Sequence, residues 1–286
     1  MRSAFFKRID EEMYLVPRLI RAVLLSALVS ATLAVSMQAQ VQDTINKKTP
    51  LFVGKDALLL GAFLVGTAAV APLDVEVATW AQDSVKQSRK LLGRAATGFR
   101  LLGDPGSFVT GTVVYLFGRA ERNRRVESLG LHSVESILIA DVLGGGIKLL
   151  VGRQRPFVDT KNPYSFQLWR GFQGDNFRSF PSGHTITAFA FASTLTREVQ
   201  FWHPSSAWYV GTVFYGGASL VGLSRIYNNQ HWASDVMAGA ALGTLVGIKV
   251  VKYTHSHPGN HLDQALIKGK KSSPIQISPV LFSIQF

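Results

Sequence analysis

The chain has no cysteine in its 286 residues, so disulfides and thiolate metal sites are excluded. Charged side chains are scarce at 17%, against 47% hydrophobic residues, a balance apolar for a soluble protein but not extreme. Acidic residues are scarcer still: 18 Asp and Glu face 30 Lys and Arg, giving a net charge of +12. The basic residues do not form one stripe interleaved with aromatics, which argues against nucleic acid as a partner. Spread through every segment, they suit an anionic lipid surface or a phosphate substrate instead. Strand-like alternation and internal repeats are also missing from the body of the chain.

What is present begins with Arg18 and Arg21, followed by an uncharged run over 22–42 whose apolar core is LLSALVSATLAV and whose exit carries the small residues Ser36 and Ala39. A basic flank, short apolar core and small-residue exit describe an export signal, or an uncleaved N-terminal membrane anchor, over 1–42. Apolar stretches then run over 57–73, 105–117, 129–150, 185–196, 204–224 and 236–251. Their composition and spacing predict an all-α domain over 43–252, a bundle of about six apolar helices, with membrane embedding left open. A spanning helix needs about 20 mostly apolar residues, and only 204–224 clearly qualifies, with 57–73 marginal. Residues 253–286 read as a polar tail whose last run, IQISPVLFSIQF, is strand-like.

Three short motifs carry chemistry. The first runs from Lys148 to Arg155-Pro156; the seven-residue spacing predicts two cations on one helix face, with Pro156 ending the helix. The second is Ser179-Phe180-Pro181-Ser182-Gly183-His184, set before an apolar helix. Ser182 is a natural N-cap, Gly183 allows close backbone approach, and a helix N-terminus attracts anions. The third is Ser224-Arg225, then His231 and Asp235, where an i, i+4 pair lets a carboxylate orient an imidazole. Taken singly, each also reads as an ordinary basic helix end, capped helix or structural ion pair.

Together and in order, the motifs resemble the type-2 phosphatidic acid phosphatase superfamily, whose members include bacterial acid phosphatases and vanadium haloperoxidases. Its pattern of Lys-x6-Arg-Pro, Pro-Ser-Gly-His and Ser-Arg-x5-His-x3-Asp is met at every specified position between Lys148 and Asp235. The resemblance implies that Lys148, Arg155 and Arg225 grip phosphate oxygens with Ser182 and the Gly183 N–H. It further implies that His231 is the nucleophile, Asp235 offsets the charge on its ring, and His184 protonates the leaving oxygen and then activates water. No metal or other cofactor is implied, and three cations around His184, His231 and Asp235 oppose a divalent ion there.

The expected activity is hydrolysis of a phosphomonoester or pyrophosphate, of a lipid or a small molecule, through a phosphohistidine. The alternatives are a vanadate-dependent haloperoxidase and a non-catalytic lipid-phosphate binding protein. The resemblance also implies a membrane location in the cell envelope with the site outside the cytoplasm, in the periplasm. That sidedness requires that not all six later segments span if the signal is removed. Phe166, Trp169, Phe172, Phe177 and Phe180 read either as an acyl-chain entrance at the membrane interface or as loop packing. The histidines outside the motifs, His132, His203, His255, His257 and His261, read as surface or loop residues.

Overall fold

A computed structural model of the chain describes residues 52–267. The expected export segment over 1–42 and the strand-like run over 275–286 lie outside those residues. Helix α1 (Gly54–Val70) continues through a short turn, Ala71–Leu73, into α2 (Asp74–Ala81); α3 (Ser84–Gln87), α4 (Lys90–Leu101), α5 (Ser107–Ala120) and α6 (Arg124–Val151) follow. After a long loop come α7 (Gly183–Trp202), α8 (Pro204–Tyr227), α9 (Ala233–Ser256) and α10 (His261–Leu266). All six expected helices are present, and the fold is all-α. Among the described residues the only extended pairing is an isolated bridge between Arg153 and Phe166.

Four helices fall where none was expected: α2 and the one-turn α3, which follow α1, and α4 and α10. The basic segment over 86–100 contains α4, whose Leu92, Ala96 and Phe99 recur at helical spacing between lysines and arginines. Phe99 packs against the buried Ala188, Phe189 and Tyr215. In the segment read as a polar tail, α9 runs on to Ser256, and Asn260 caps α10 by accepting the Asp263 N–H at 2.9 Å.

Helix α7 is the axis of the bundle, buried at nearly every position from Thr185 to Thr196. Ile186, Ala190 and Phe191 meet Ile137 and Ala140 of α6 and Val246 and Val250 of α9. On its other side Ala188, Phe189 and Ala192 meet Tyr215, Ala218 and Val221 of α8. Gly239, Gly243 and Gly247 allow α9 to lie directly on the α7 backbone, for added Cβ atoms would come within 2.7, 2.3 and 2.7 Å of the Ser182, Ile186 and Ala190 carbonyl oxygens. Hydroxyls on α7 are satisfied locally: Ser193, Thr194 and Thr196 donate to the carbonyls four residues back at 2.6–2.9 Å.

The outside of the bundle is apolar. Leu58, Leu64 and Val65 on α1, Val109 and Val113 on α5, Ile139 and Val142 on α6 and Val213 on α8 are all exposed. Among the described residues, the helices long and apolar enough to cross a membrane are Asp56–Ala81 and Ala233–Ser256. The stretch 204–224, favoured from its sequence, is not among them, because serine, glycine and tyrosine dilute its apolar residues.

Candidate active site

The C-terminal ends of α6 and α8 and the N-terminal ends of α7 and α9 meet at one end of the bundle, under the loops 152–182 and 228–232. There the three motifs come together. Helix α6 stops at Val151 because Gly152 takes the left-handed conformation (φ 58°), where an added Cβ would lie 1.9 Å from the Gln167 carbonyl oxygen. Pro156 is therefore not the terminator. Lys148 is in the last turn of α6 and Arg155 is in the loop beyond, so the two cations reach the site from separate segments and do not share a helix face.

The ammonium of Lys148 donates to the Pro181 carbonyl and lies 3.7 Å from where a side chain at Gly183 would begin. Arg155 is buried and fixed at both ends of its guanidinium, with Nη2 on Asp175 Oδ1 at 2.7 Å and Nη1 on Gln230 Oε1 at 2.8 Å. Arg225 closes the group from the last turn of α8, and its buried Nε has no hydrogen-bond partner. A buried guanidinium N–H without an acceptor is costly unless an anion completes it.

Ser182 holds the N-cap position of α7, as expected, but makes no side-chain cap; its Oγ accepts from Thr185 Oγ1 at 2.9 Å. The first-turn N–H groups of α7 therefore stay open toward an anion. His184 is the second residue of that helix, partly exposed, and burial, joined by Arg225, Arg100, Lys148 and Arg155, pushes its pKa down to about 3. Arg100, at the end of α4, is a cation that the motifs did not reveal.

His231 is buried in the turn between α8 and α9, where Asn229 adopts the left-handed conformation (φ 56°) that brings the chain back. Its Nδ1 lies 2.7 Å from the Ser179 carbonyl oxygen. A carbonyl can only accept, so Nδ1 carries the proton and Nε2 keeps a free lone pair. Burial, joined by Lys148 and Arg155 and opposed by Asp235, pushes the His231 pKa down to about 3, so the ring is neutral at ordinary pH.

The expected i, i+4 pair is altered. His231 precedes the helix, and Asp235 Oδ2 stands 3.7 Å from Nδ1, beyond hydrogen-bond reach. Orientation falls to the Ser179 carbonyl, while Asp235 supplies negative charge. Asp235 is committed elsewhere: Ser179 Oγ donates to Oδ2 at 2.5 Å, the Trp232 N–H donates at 2.8 Å, and Arg153 Nη1 reaches Oδ1 at 2.5 Å. Arg153 also binds Asp74 Oδ2 at 2.8 Å and the Pro163 carbonyl at 2.7 Å. This buried Asp74–Arg153–Asp235 chain ties α2, the long loop and α9 together. Neither Asp74 nor Arg153 stood out in the sequence, because the acid and the base are 79 positions apart and no spacing signals the pair.

Of the aromatic segment, Phe166, Trp169 and Phe172 are exposed at this end of the bundle, while Phe177 and Phe180 are half-buried. Trp169 and Phe172 stack with centroids 6.3 Å apart, and Phe180 meets Phe166 edge-on. The segment thus divides between an outward-facing group and loop packing.

Residues 129–257 match the PAP2 superfamily model, a range that includes all eight candidate residues. A lipid A 1-phosphatase from Porphyromonas gingivalis is 43% identical over 111 residues, covering 39% of this chain and 22% of that protein. An undecaprenyl-diphosphatase from Sulfolobus acidocaldarius is 30% identical over 143 residues, covering 50% of this chain and 64% of the other. The chain thus spans from about a fifth to just under two thirds of the length of these relatives. Among solved structures, LpxE from Aquifex aeolicus aligns with a TM-score of 0.47 at 25% identity, over 63% of this chain and 96% of that one. The three motifs fold into one site inside the matched range, so it is residues 129–257 that are similar to the PAP2 superfamily.

Proposed function

We propose that the chain is a metal-independent phosphatase acting on a lipid phosphate or pyrophosphate, with His231 as nucleophile. The observation that carries this reading is the free Nε2 of a neutral, buried His231, fixed by the Ser179 carbonyl beside Lys148 and Arg155. A site meant only to bind an anion needs the cations but gains nothing from a neutral imidazole held in one tautomer.

In the proposed reaction the negative charge of the bound phosphate offsets the cations that hold the His184 pKa down, so His184 takes up a proton as substrate binds. His231 Nε2 then attacks phosphorus in line, and the bond to the leaving oxygen breaks as His184 donates that proton to it. Lys148, Arg155, Arg225, the Ser182 hydroxyl and the α7 N–H groups, Gly183 among them, hold the equatorial oxygens and stabilise the charge that builds in the transition state. Asp235, 3.7 Å from Nδ1, offsets the positive charge that phosphorylation puts on the ring. His184, now neutral, takes a proton from water, the hydroxide oxygen attacks the phosphohistidine, and inorganic phosphate leaves with His231 restored.

Support for a lipid substrate and a membrane location comes from the surface. The exposed leucines and valines of α1, α5, α6 and α8 form a larger apolar exterior than water tolerates, while polar groups are buried inside. Trp169 and Phe172 stand at the mouth end, where an interfacial aromatic belt would meet acyl chains. The relatives named lipid A 1-phosphatase and undecaprenyl-diphosphatase favour the same substrate class. We place the site on the periplasmic side of the envelope, as the family resemblance implies, which with a removed signal requires that not all six apolar segments span.

Phosphate release by the purified protein from a lipid phosphate and from a small aryl phosphate, in EDTA, tests the reading. Activity that persists in EDTA and prefers the lipid is expected. Vanadate-dependent halide oxidation without hydrolysis, or tight phosphate binding without turnover, would replace it with one of the two alternatives.

A further inference from the structure

At the far end of the same helices lies a second polar cluster. His132 and Glu198 are buried, at 3% and 0% exposure, which corrects the expectation that His132 is a surface or loop residue; His255 is at the surface, as expected. They come from α6, α7 and α9, so three of the four helices that form the catalytic end each supply one member here. Counted along those helices, the two ends are roughly 20–30 Å apart.

One Glu198 carboxylate oxygen lies 2.5 Å from His132 Nδ1 and the other 3.0 Å from His255 Nε2. The three potential ligand atoms fall within 4.8 Å of one another. The remaining nitrogen of His132 faces Asp263 Oδ1 of α10 at 3.3 Å. Phe201 stacks on the His255 ring with centroids 4.0 Å apart and planes within 7°, fixing its orientation. The cluster opens on a cavity of about 310 Å³ that Thr254, Trp202 and Pro258 also line.

We infer that His132, Glu198 and His255 form a binding site for a divalent transition ion of the zinc class, with Asp263 holding the outer nitrogen of His132. Two imidazoles and one carboxylate, with an open side for water, are a donor set that zinc accepts. Zinc bonds of about 2.0–2.2 Å put neighbouring ligand atoms roughly 3.3–3.5 Å apart, so the hydrogen-bonded cluster needs to open by about 1 Å or less. A carboxylate on the far nitrogen of a ligating histidine fixes its tautomer and strengthens it as a donor. Arg124 and Arg125 at the cavity mouth counter the charge of Glu198 and Asp263. Retention of the ion therefore rests on the imidazoles, which favours zinc over magnesium or calcium. Such an ion would pin α6, α7 and α9 to one another, and Asp263 would tie in α10.

The test uses the full chain in detergent, stripped with EDTA, dialysed and titrated with zinc, with bound metal counted by mass spectrometry. One equivalent per chain is expected, with a rise in Tm that scales with free zinc. His255→Ala should weaken binding about 100-fold or more, and Asp263→Asn about 10–100-fold. His231→Ala should bind zinc as the parent does, which separates this site from the catalytic histidines. Because Asp263 lies on the short helix α10, outside the core clusters, and because Co²⁺ in the parent chain should give visible bands of low coordination number, the result does not depend on one variant folding. Less than one equivalent in the parent, no Co²⁺ bands, or unchanged affinity in both His255→Ala and Asp263→Asn would overturn the inference.

Discussion

Helices α6, α7 and α9 carry polar groups at both ends, and the two ends are built on opposite electrical plans. At the proposed catalytic end Lys148, Arg100, Arg155 and Arg225 converge on His184, and the buried Arg225 Nε lacks a partner. At the far end both ring nitrogens of His132 and Nε2 of His255 meet a carboxylate, from Glu198 or Asp263. The first arrangement is incomplete without an anion. The second is complete as hydrogen bonds and becomes a ligand set only when a cation displaces protons. On the two proposals, the same three helices would hold sites of opposite charge preference, separated by an apolar core that includes Ile137, Ile186, Phe191 and Val246.

Substitutions that touch one end and spare the other test that division. The largest effect is expected for His231→Ala, which should lower turnover of any phosphate ester by about 10⁴-fold or more while far-end zinc binding stays unchanged. Steady-state rates and metal counts on the same preparation check this. Arg225→Lys comes next, with a fall in kcat/KM of about 10²-fold, because an ammonium replaces the guanidinium but not its fork of donors.

Arg153→Leu should act through stability as well as rate. It leaves Asp74 and Asp235 buried and unpaired, at a cost of about 3–5 kcal/mol readable by thermal or denaturant unfolding. Smallest at the catalytic end should be His255→Ala, which leaves kcat within about twofold at permissive temperature and removes only the zinc-dependent part of Tm.

The pH dependence sharpens the same contrast. The folded-state pKa of His231, about 3, lies below the ordinary histidine value of 6.5. Between those values the unfolded chain binds a proton that the folded chain does not. The contribution of His231 is therefore fully present above about pH 6.5 and is lost as pH falls toward about 3. Melting curves from pH 7 to pH 4 should show this decline, and His231→Gln, which cannot titrate, should show a shallower one.

The two ends also differ in how much of them the sequence discloses. Lys148, Arg155, Ser182, Gly183, His184, Arg225, His231 and Asp235 were legible because they sit in short motifs with fixed spacing. The six apolar helices were legible from runs of alanine, leucine and glycine. Spacing could not show that Gly152 ends α6 early, which put Arg155 on a loop instead of a helix face. Nor could it show that the Ser179 carbonyl takes the hydrogen bond assigned to Asp235, since a backbone atom leaves no trace in residue type. Asp74 and Arg153 pair across the fold, and His132, Glu198 and His255 are single residues on three helices. Such contacts exist only once the helices pack, and α4 was masked because its apolar face is interleaved with basic residues.

The central claim, that His231 is phosphorylated, is tested most directly by trapping the intermediate. Protein mixed with ³²P-labelled substrate and quenched in alkali within milliseconds should carry label that survives base, is lost in acid and maps to the peptide containing His231. The label should build up in His184→Ala with an aryl phosphate, where departure needs no acid but hydrolysis still needs the base. Label that resists acid, as a serine ester does, label on another peptide, or turnover with no labelled protein would contradict the mechanism.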